Sequence, residues 1–281
     1  DDYLTFVYVA APRSILNGVA EVPPAHTVRW RDGTLTERRY WYLSYAAKET
    51  MPDGEAIERV RELIRVSTRD RLISERPLGA FLSGGIDSSL VVAAMAEAAD
   101  EVRTFSIGFE DPRYDERSYA RAVAQAFGTR HEELVINPRG ADLVDLVPRL
   151  VWHYDEPFND YSCFPTYYLC REARASITVA LSGDGADEVF AGYRKYQRLA
   201  RRAELGRLFP VPAARAAAAV ARRALPEGHF WRRTLVQYGL PASQMLADML
   251  CNGFTVPLLR EVARGPLAEA LRHYDPYRLV E

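Results

Sequence analysis

Residues 78–89 read Leu-Gly-Ala-Phe-Leu-Ser-Gly-Gly-Ile-Asp-Ser-Ser, and this stretch decides the fold class. It begins with a short apolar run, and an Ala-rich amphipathic segment over 90–99 follows it. The pattern predicts a strand, a tight glycine loop and a helix. Such a loop presents free backbone N–H groups at the positive end of the helix macrodipole, and its glycines let a ligand approach the backbone. The stretch therefore predicts an α/β fold with a phosphate-binding loop.

Asp87 distinguishes this loop from the common phosphate loops. The stretch is not a Walker A loop, because no Lys follows the glycines and the four-residue spacer is missing. A carboxylate alone would repel phosphate, so we expect Mg²⁺ to bridge Asp87 to a polyphosphate. An Asp that merely caps the helix is the plainer interpretation, but it leaves the strand, the helix and the serine hydroxyls around it without a purpose.

A second glycine loop follows another β-branched run. Residues 177–180 read Ile-Thr-Val-Ala, and residues 181–193 read Leu-Ser-Gly-Asp-Gly-Ala-Asp-Glu-Val-Phe-Ala-Gly-Tyr. Between the two loops lie Phe-Ser-Ile-Gly-Phe at 105–109 and Asp-Glu-Pro-Phe at 155–158, with Pro-Thr at 165–166 further on. The chain thus carries several motifs in a fixed order, which is a more specific signal than either loop alone.

The first loop resembles the pyrophosphate loop of the PP-loop ATP pyrophosphatase superfamily. The second resembles the LSGxGADExFxGY signature of glutamine-hydrolysing asparagine synthetases, and the motifs between them match that family over about 110 residues. The resemblance implies a ligase that uses ATP and Mg²⁺ to adenylate a carboxylate and releases pyrophosphate. It further implies transfer of ammonia from glutamine, which gives asparagine when the acceptor is the aspartate side chain.

The resemblance also implies roles for individual residues. Nucleotide contacts are expected from residues at the ends of three strands: Leu82, Ser83, Gly84, Gly85, Asp87, Ser88, Ser89, Ile107, Ser182 and Gly183. Asp87 and Asp187 are candidate Mg²⁺ ligands, since carboxylates from two facing loops suit a hard cation shared with phosphate. Asp184 stands where asparagine synthetases commonly carry Glu, and it is the candidate base for the attacking amine. Glu188 is a second catalytic candidate that orients this amine.

Several of these residues also have plain structural explanations. Asp187 fits a first-turn charge, Glu188 fits the start of a helix, and Ile107 alone fits a core position. Asp-Glu-Pro at 155–157 fits a capped turn as well as the lining of an acceptor path. His131 has no catalytic partner at a readable spacing, so we interpret it as a satisfied or exposed histidine.

Strand and helix patterns alternate from residue 51 onward, which predicts a doubly wound parallel sheet. The predicted strands are 79–82, 102–108, 132–136 and 177–181, and the predicted helices are 55–73, 88–99, 115–127, 141–153 and 186–204. Ligands bind at the carboxyl ends of the strands in such sheets, so we expect both glycine loops to meet one nucleotide. Residues 205–281 are predicted to be mostly helical.

The first 48 residues predict a β-hairpin around Asp32-Gly33. This part resembles the C-terminal remnant of the N-terminal glutaminase (class II amidotransferase) domain of asparagine synthetases, without its Cys nucleophile. We therefore expect two parts, a remnant over 1–48 and a synthetase-like ATP-binding domain over 49–281. We also expect the chain to be a fragment that lacks most of the glutaminase domain and the C-terminal end. A homodimer is compatible with the sequence.

The composition favours a soluble, cytoplasmic enzyme that acts on small molecules. The chain has 281 residues, of which 48% are hydrophobic and 26% charged, enough for a large core. The net charge is −2 and the basic residues are spread along the chain, so no nucleic-acid partner is predicted. No apolar run approaches the roughly 18 residues of a membrane span. Three cysteines without paired metal-ligand spacing fit a reducing compartment.

Two other interpretations stay open. Other PP-loop amidotransferases or cyclases, β-lactam synthetase-like or polysaccharide-modifying, share the first loop but vary at position 184. A degenerate, non-catalytic nucleotide-binding module would also lack a glutaminase nucleophile. The carboxylates of Asp87, Asp184 and Asp187 favour catalysis, because a degenerate site has no need for unpaired acids that are costly to desolvate.

Overall fold

The computed structural model describes residues 2–137, 140–158, 160–206, 211–226, 229–240, 253–254 and 256–275. Its strands are β1 (His26–Arg31), β2 (Thr34–Arg39), β3 (Leu78–Phe81), β4 (Arg103–Phe109), β5 (Arg130–Ile136) and β6 (Val179–Leu181). Its helices are α1 (Asp2–Phe6), α2 (Asp53–Arg71), α3 (Ile86–Ala98), α4 (Arg117–Ala126), α5 (Gly140–Tyr154), α6 (Cys163–Ala173), α7 (Ala186–Phe190), α8 (Arg194–Gly206), α9 (Val211–Ala224), α10 (Phe230–Gly239), α11 (Val256–Val262) and α12 (Gly265–Ala270).

The chain divides into two compact units. One, the sheet unit, consists of residues 44–150 and 160–190. The other, the hairpin unit, consists of residues 1–43, 151–159 and 191–281. Each is described by itself.

The sheet unit is built on a four-stranded parallel sheet in the order β5-β4-β3-β6. The chain therefore runs outward from β3 through β4 to β5 and then returns to the opposite side of β3. The direction of winding changes between β3 and β6, where Ala80 pairs with Leu181. Open α/β sheets bind their ligands at such a switch point, outside the carboxyl ends of the strands. The loops that leave β3 and β6 lie at this point.

Apolar side chains cover both faces of this sheet. On one face Leu82, Val92 and Met95 are at most 2% exposed and pack with buried residues of α4. On the other face Phe105 packs against Ala173 and Ile177, at and beyond the end of α6. Helices on both faces are the mark of a doubly wound sheet, so the α/β fold predicted from the sequence is confirmed.

The predicted helix over 186–204 is wrong in one respect, because the chain forms two helices there, α7 and α8. Ala191 lies between them with a φ of 56°. A non-glycine residue in this left-handed region cannot continue a right-handed helix, so α7 ends before it. Helix α6 is absent from the predicted helices. Its sequence, CFPTYYLCREA, contains a proline and three aromatic residues of modest helix propensity.

The hairpin unit contains the predicted turn at Asp32-Gly33. Strands β1 and β2 pair antiparallel, with Arg31 opposite Thr34, and both turn residues have positive φ, 50° and 78°. Such angles define the two-residue turn that joins tightly twisted strands. The part of 205–281 that the structure describes is largely helical, as predicted, while 207–210, 227–228, 241–252, 255 and 276–281 lie outside the described residues. Within the described chain, no helix is long and apolar enough to cross a membrane.

Candidate functional site

The first glycine loop joins β3 to α3 and requires glycine for two reasons. Gly84 has a φ of 82°, in the left-handed region. A Cβ on Gly84 would also lie 2.5 Å from backbone atoms of Tyr119 and Ala120, at the start of α4. Gly85 is the N-cap of α3, and no described side chain caps this helix start by a hydrogen bond. The loop therefore packs tightly on α4 and leaves the first N–H groups of α3 available to an anion.

The serine hydroxyls hold this loop in shape. Ser83 Oγ lies 3.0 Å from Ser88 Oγ and accepts a hydrogen bond from the Gly85 N–H at 3.2 Å. Ser88 Oγ and Ser89 Oγ both donate to the Gly85 carbonyl, at 3.2 and 2.6 Å. Because these bonds run within the loop, its own side chains and backbone hold it in this conformation.

The second loop, after β6, approaches the first at a single glycine. A Cβ on Gly183 would lie 2.6 Å from the backbone nitrogen of Ser88 and 2.9 Å from the carbonyl carbon of Asp87. Any side chain at position 183 would therefore push the two loops apart. Within the second loop Ser182 Oγ donates to Asp184 Oδ2 at 3.0 Å, which orients this carboxylate.

The two loops line one cavity of about 470 Å³, a size typical of small-molecule sites. Ten of the residues predicted from the sequence line it: Leu82, Ser83, Gly85, Asp87, Ser88, Ile107, Ser182, Gly183, Asp184 and Asp187. Three others do not. Gly84 faces α4, Ser89 bonds back to the Gly85 carbonyl, and Glu188 is exposed on α7. The structure thus places Asp87, Asp184 and Asp187 on the wall of one cavity.

The cavity wall also includes residues that the sequence analysis assigned no role. Tyr114 and Glu116 come from the connection between β4 and α4, and Pro165, Thr166 and Leu169 come from the first turns of α6. The connection between β4 and α4 leaves the carboxyl end of a central strand, where ligands bind in such sheets. This position in the sheet is the signal that could have identified Tyr114 and Glu116. Pro165 and Thr166 belong to a sequence motif, but the sequence alone assigns them no role.

An ion pair fixes the connection that carries Tyr114 and Glu116. Two hydrogen bonds of 2.7 Å join the Arg117 guanidinium to the Asp115 carboxylate. The bond from Arg117 holds the pKa of the Asp115 carboxyl below its usual range. The pair lies against Gly108 of β4, where a Cβ would overlap both side chains. Gly108 therefore makes room for the pair at the end of the strand.

The donor atoms around the cavity suit a hard cation that also binds phosphate. Asp87 in the first turn of α3 and Asp187 in the first turn of α7 both line the cavity and offer carboxylate oxygens, the ligand type that Mg²⁺ prefers. Among the described residues, no group of three or more His, Cys, Asp or Glu side chains is arranged to hold a metal by itself. A divalent ion here would complete its coordination with oxygens of a bound ligand or with water.

Comparisons with known proteins agree on one family. The family model described as asparagine synthase matches residues 59–273. Asparagine synthetase (glutamine-hydrolysing) 1 of Bacillus subtilis is 36% identical over 196 residues, 69% of this chain and 30% of that protein. A Methanocaldococcus jannaschii protein with the provisional name asparagine synthetase (glutamine-hydrolysing) 2 is 39% identical over 194 residues, 68% and 37% of the two chains. The chain spans about a third of the length of these curated relatives.

The solved structures include a remote likeness. The ammonia-dependent NAD synthetase of Campylobacter jejuni matches at a TM-score of 0.35 and 12% identity, over 70% of this chain and 97% of that one. The fold assignment rests on the strand order described above and not on this likeness.

We predict that Gly183→Ala separates the two loops. The added methyl group meets backbone atoms that cannot rotate away, so we expect a loss of about 1–3 kcal/mol in the free energy of unfolding. We also expect about tenfold or more weaker binding of Mg-ATP, the ligand that the sequence predicts for these loops. Urea denaturation and equilibrium titration measure the two effects. Gly54→Ala is the matched control, because a Cβ at Gly54 in α2 meets no atom within 4 Å. Equal binding by both variants would contradict the close approach of the loops.

Proposed function

Because the chain belongs to the asparagine synthase family, we propose that its two glycine loops bind ATP and activate a carboxylate for amide formation. The observation that carries this proposal is the shared cavity at the switch point, which is lined by the start of α3, where no described side chain caps the helix, and by Asp87, Asp184 and Asp187. The positive start of the helix attracts an anion, whereas the acidic groups repel it unless a cation lies between the acids and the anion. A magnesium-bound polyphosphate satisfies both.

The phosphate end of ATP would lie at the start of α3. The N–H groups of the first turn and the hydroxyls of Ser83 and Ser88 would bind the β- and γ-phosphates. Asp87 and Asp187 would hold Mg²⁺, which when bound neutralises the charge that develops on the leaving pyrophosphate. Because the β- and γ-phosphates are bound together in this arrangement, the bond between the α- and β-phosphates is the one that breaks.

The nucleoside end would lie along the carboxyl ends of β3 and β4 and on the second loop. Leu82 is buried at the end of β3, and Ile107 is half-buried on the neighbouring strand. Ser182 and Gly183 approach from β6 with backbone atoms that a ribose or a base can contact. An apolar surface edged by backbone groups is typical of nucleotide pockets.

The proposed reaction has two steps. An oxygen of the acceptor carboxylate attacks the α-phosphorus, the bond to the β-phosphate breaks, and pyrophosphate leaves with its electron pair. Ammonia then attacks the acyl carbon, loses a proton, and AMP leaves from the resulting tetrahedral centre. Ser182 engages Oδ2 of Asp184, so Oδ1 is the oxygen that would take the proton from the amine.

We further propose that the acceptor is the aspartate side chain and that, in the whole protein, a glutaminase domain supplies ammonia from glutamine. The names of the relatives support both points. A second candidate is a PP-loop amide ligase for a different acid. The observation that favours it is Asp184, which is one methylene shorter than the Glu that asparagine synthetases commonly carry at this place.

The proposal predicts pyrophosphate as the primary product of ATP cleavage. Incubation of the full-length protein with ATP, Mg²⁺, aspartate and ammonia should release pyrophosphate and AMP in equal amounts, since the β- and γ-phosphates leave together and ammonia then displaces AMP. Coupled assays for pyrophosphate and for orthophosphate measure the two products side by side. Orthophosphate as the first product would refute the assignment.

The role of Asp87 predicts a selective loss of activity. Asp87→Asn should lower kcat/KM for Mg-ATP by an amount that corresponds to about 2–4 kcal/mol of lost transition-state stabilisation. The reason is that a charge opposite the leaving pyrophosphate is lost. The fold should persist, as judged by circular dichroism. Asp100→Asn, just beyond the other end of α3 and exposed, should leave kcat/KM unchanged. An Asp87→Asn variant with unaltered kcat/KM would remove Asp87 from the site.

The role of Asp184 predicts a separation of the two steps. Asp184→Ala should leave formation of the acyl adenylate nearly intact while slowing amide formation by about 10²–10⁴-fold, because only the second step needs a proton acceptor. Rapid-quench experiments with free ammonia measure the accumulated adenylate. Asp184→Glu restores a carboxylate and should recover amide formation. Equal loss of both steps in Asp184→Ala would instead assign this carboxylate to the nucleotide or to Mg²⁺.

A further inference from the structure

A chain of hydrogen-bonded polar side chains, most of them buried, runs between β4 and β5 to the wall of the cavity. Thr129 Oγ1 lies 2.8 Å from Thr104 Oγ1, which lies 2.9 Å from Nδ1 of His131. Nε2 of His131 lies 3.2 Å from Ser106 Oγ. The His131 side chain is 9% exposed, and Thr104 and Ser106 are 0% and 3% exposed. Ser106 also lines the cavity, and the proposed reaction leaves its hydroxyl without a role.

The strand register explains why these groups meet. Thr104 pairs with His131, and Ser106 pairs with Glu133 two residues further on. Paired residues on neighbouring strands project to the same face of a sheet, and residues two apart on one strand share that face. All four side chains therefore lie on one face. Arg121 of α4 bonds Glu133 there at 2.8 and 2.9 Å.

The charges around the ring favour one of its two nitrogens as the site of the proton. Burial lowers the pKa of His131, so the ring is neutral near pH 7 and has a single N–H. Glu133 Oε1 lies 3.7 Å from Nε2, and Arg121 and Arg117 of α4 are the basic groups that act on this pair. A carboxylate beside Nε2 favours the tautomer with the proton on Nε2. Nε2–H then donates to Ser106 Oγ, while Nδ1 accepts from Thr104.

This tautomer leaves the Ser106 hydroxyl proton for another acceptor. Ser106 lies beside Leu82, since Phe105 pairs with Phe81 and the Leu82 N–H donates to the Phe105 carbonyl at 2.8 Å. It directly precedes Ile107. Both neighbours belong to the proposed nucleoside end of the site. We propose that His131 is a positioning residue that orients the Ser106 hydroxyl as a hydrogen-bond donor to the base or ribose of bound ATP, an inference that rests on the proposed function.

The test compares two ligands that share only the phosphate end. Isothermal titration of the full chain would measure Kd for Mg-ATP and for magnesium pyrophosphate in the wild type, Ser106→Ala, His131→Leu, His131→Gln and the Ser106→Ala/His131→Leu double variant. Loss of one hydrogen bond to the nucleoside should weaken Mg-ATP binding about 3- to 10-fold in each of Ser106→Ala and His131→Leu. Binding of pyrophosphate should not change, because the nucleoside end is not engaged.

The effects of substituting Ser106 and His131 should not add. The double variant should bind Mg-ATP no more weakly than Ser106→Ala alone, since His131 acts through the hydroxyl. His131→Gln, whose side-chain amide N–H reaches the place of Nε2–H, should recover binding to within about twofold of the wild type.

Three results would overturn the inference. One is unchanged Mg-ATP binding by Ser106→Ala. This substitution removes only a hydroxyl group, so the variant should fold normally. Another is a parallel loss of pyrophosphate binding in His131→Leu, which would make the histidine a purely structural part of the sheet. The third is a wild type that binds pyrophosphate but no ATP. A wild type that binds neither ligand would instead refute the proposed function, and the inference with it.

Discussion

The site depends on one close approach between two backbones. Gly183 lies so near Asp87 and Ser88 that a single methyl group would overlap backbone atoms of the first loop. This contact joins the ends of two strands that are nearly 100 residues apart in the sequence, at the point where the sheet reverses its winding. Neither loop could form the cavity alone, because each contributes only part of its wall and of its three carboxylates.

Two further glycines allow similarly close contacts with α4 and with the connection before it. Gly84 lets the first loop touch the backbone at the start of α4, and Gly108 makes room for the ion pair of Asp115 and Arg117. The connection before α4 is thereby fixed beside the cavity, with Tyr114 and Glu116 on its wall. These close contacts leave no room for a side chain at either glycine.

The parts of the fold that the sequence predicts well are those with local signals. Apolar runs followed by glycine loops predicted β3 and β6, and the Asp32-Gly33 turn predicted the hairpin. The break at Ala191 and helix α6 were missed, since neither a positive φ nor a helix rich in aromatics has a clear pattern in the sequence. Contacts between distant residues were missed for another reason. The register of β4 and β5 alone brings His131 to Ser106, and no spacing in the chain reveals it.

Hydrogen–deuterium exchange tests most directly whether both loops bind one nucleotide. Saturation with Mg²⁺ and α,β-methylene-ATP, which resists cleavage between the α- and β-phosphates, should slow amide exchange in peptides covering 82–88 and 182–187. Both should respond over the same range of nucleotide concentration, because one ligand contacts both loops. Peptides covering the hairpin at 26–39 should not change. Protection confined to 82–88, or protection of the two loops at different concentrations, would contradict a shared site.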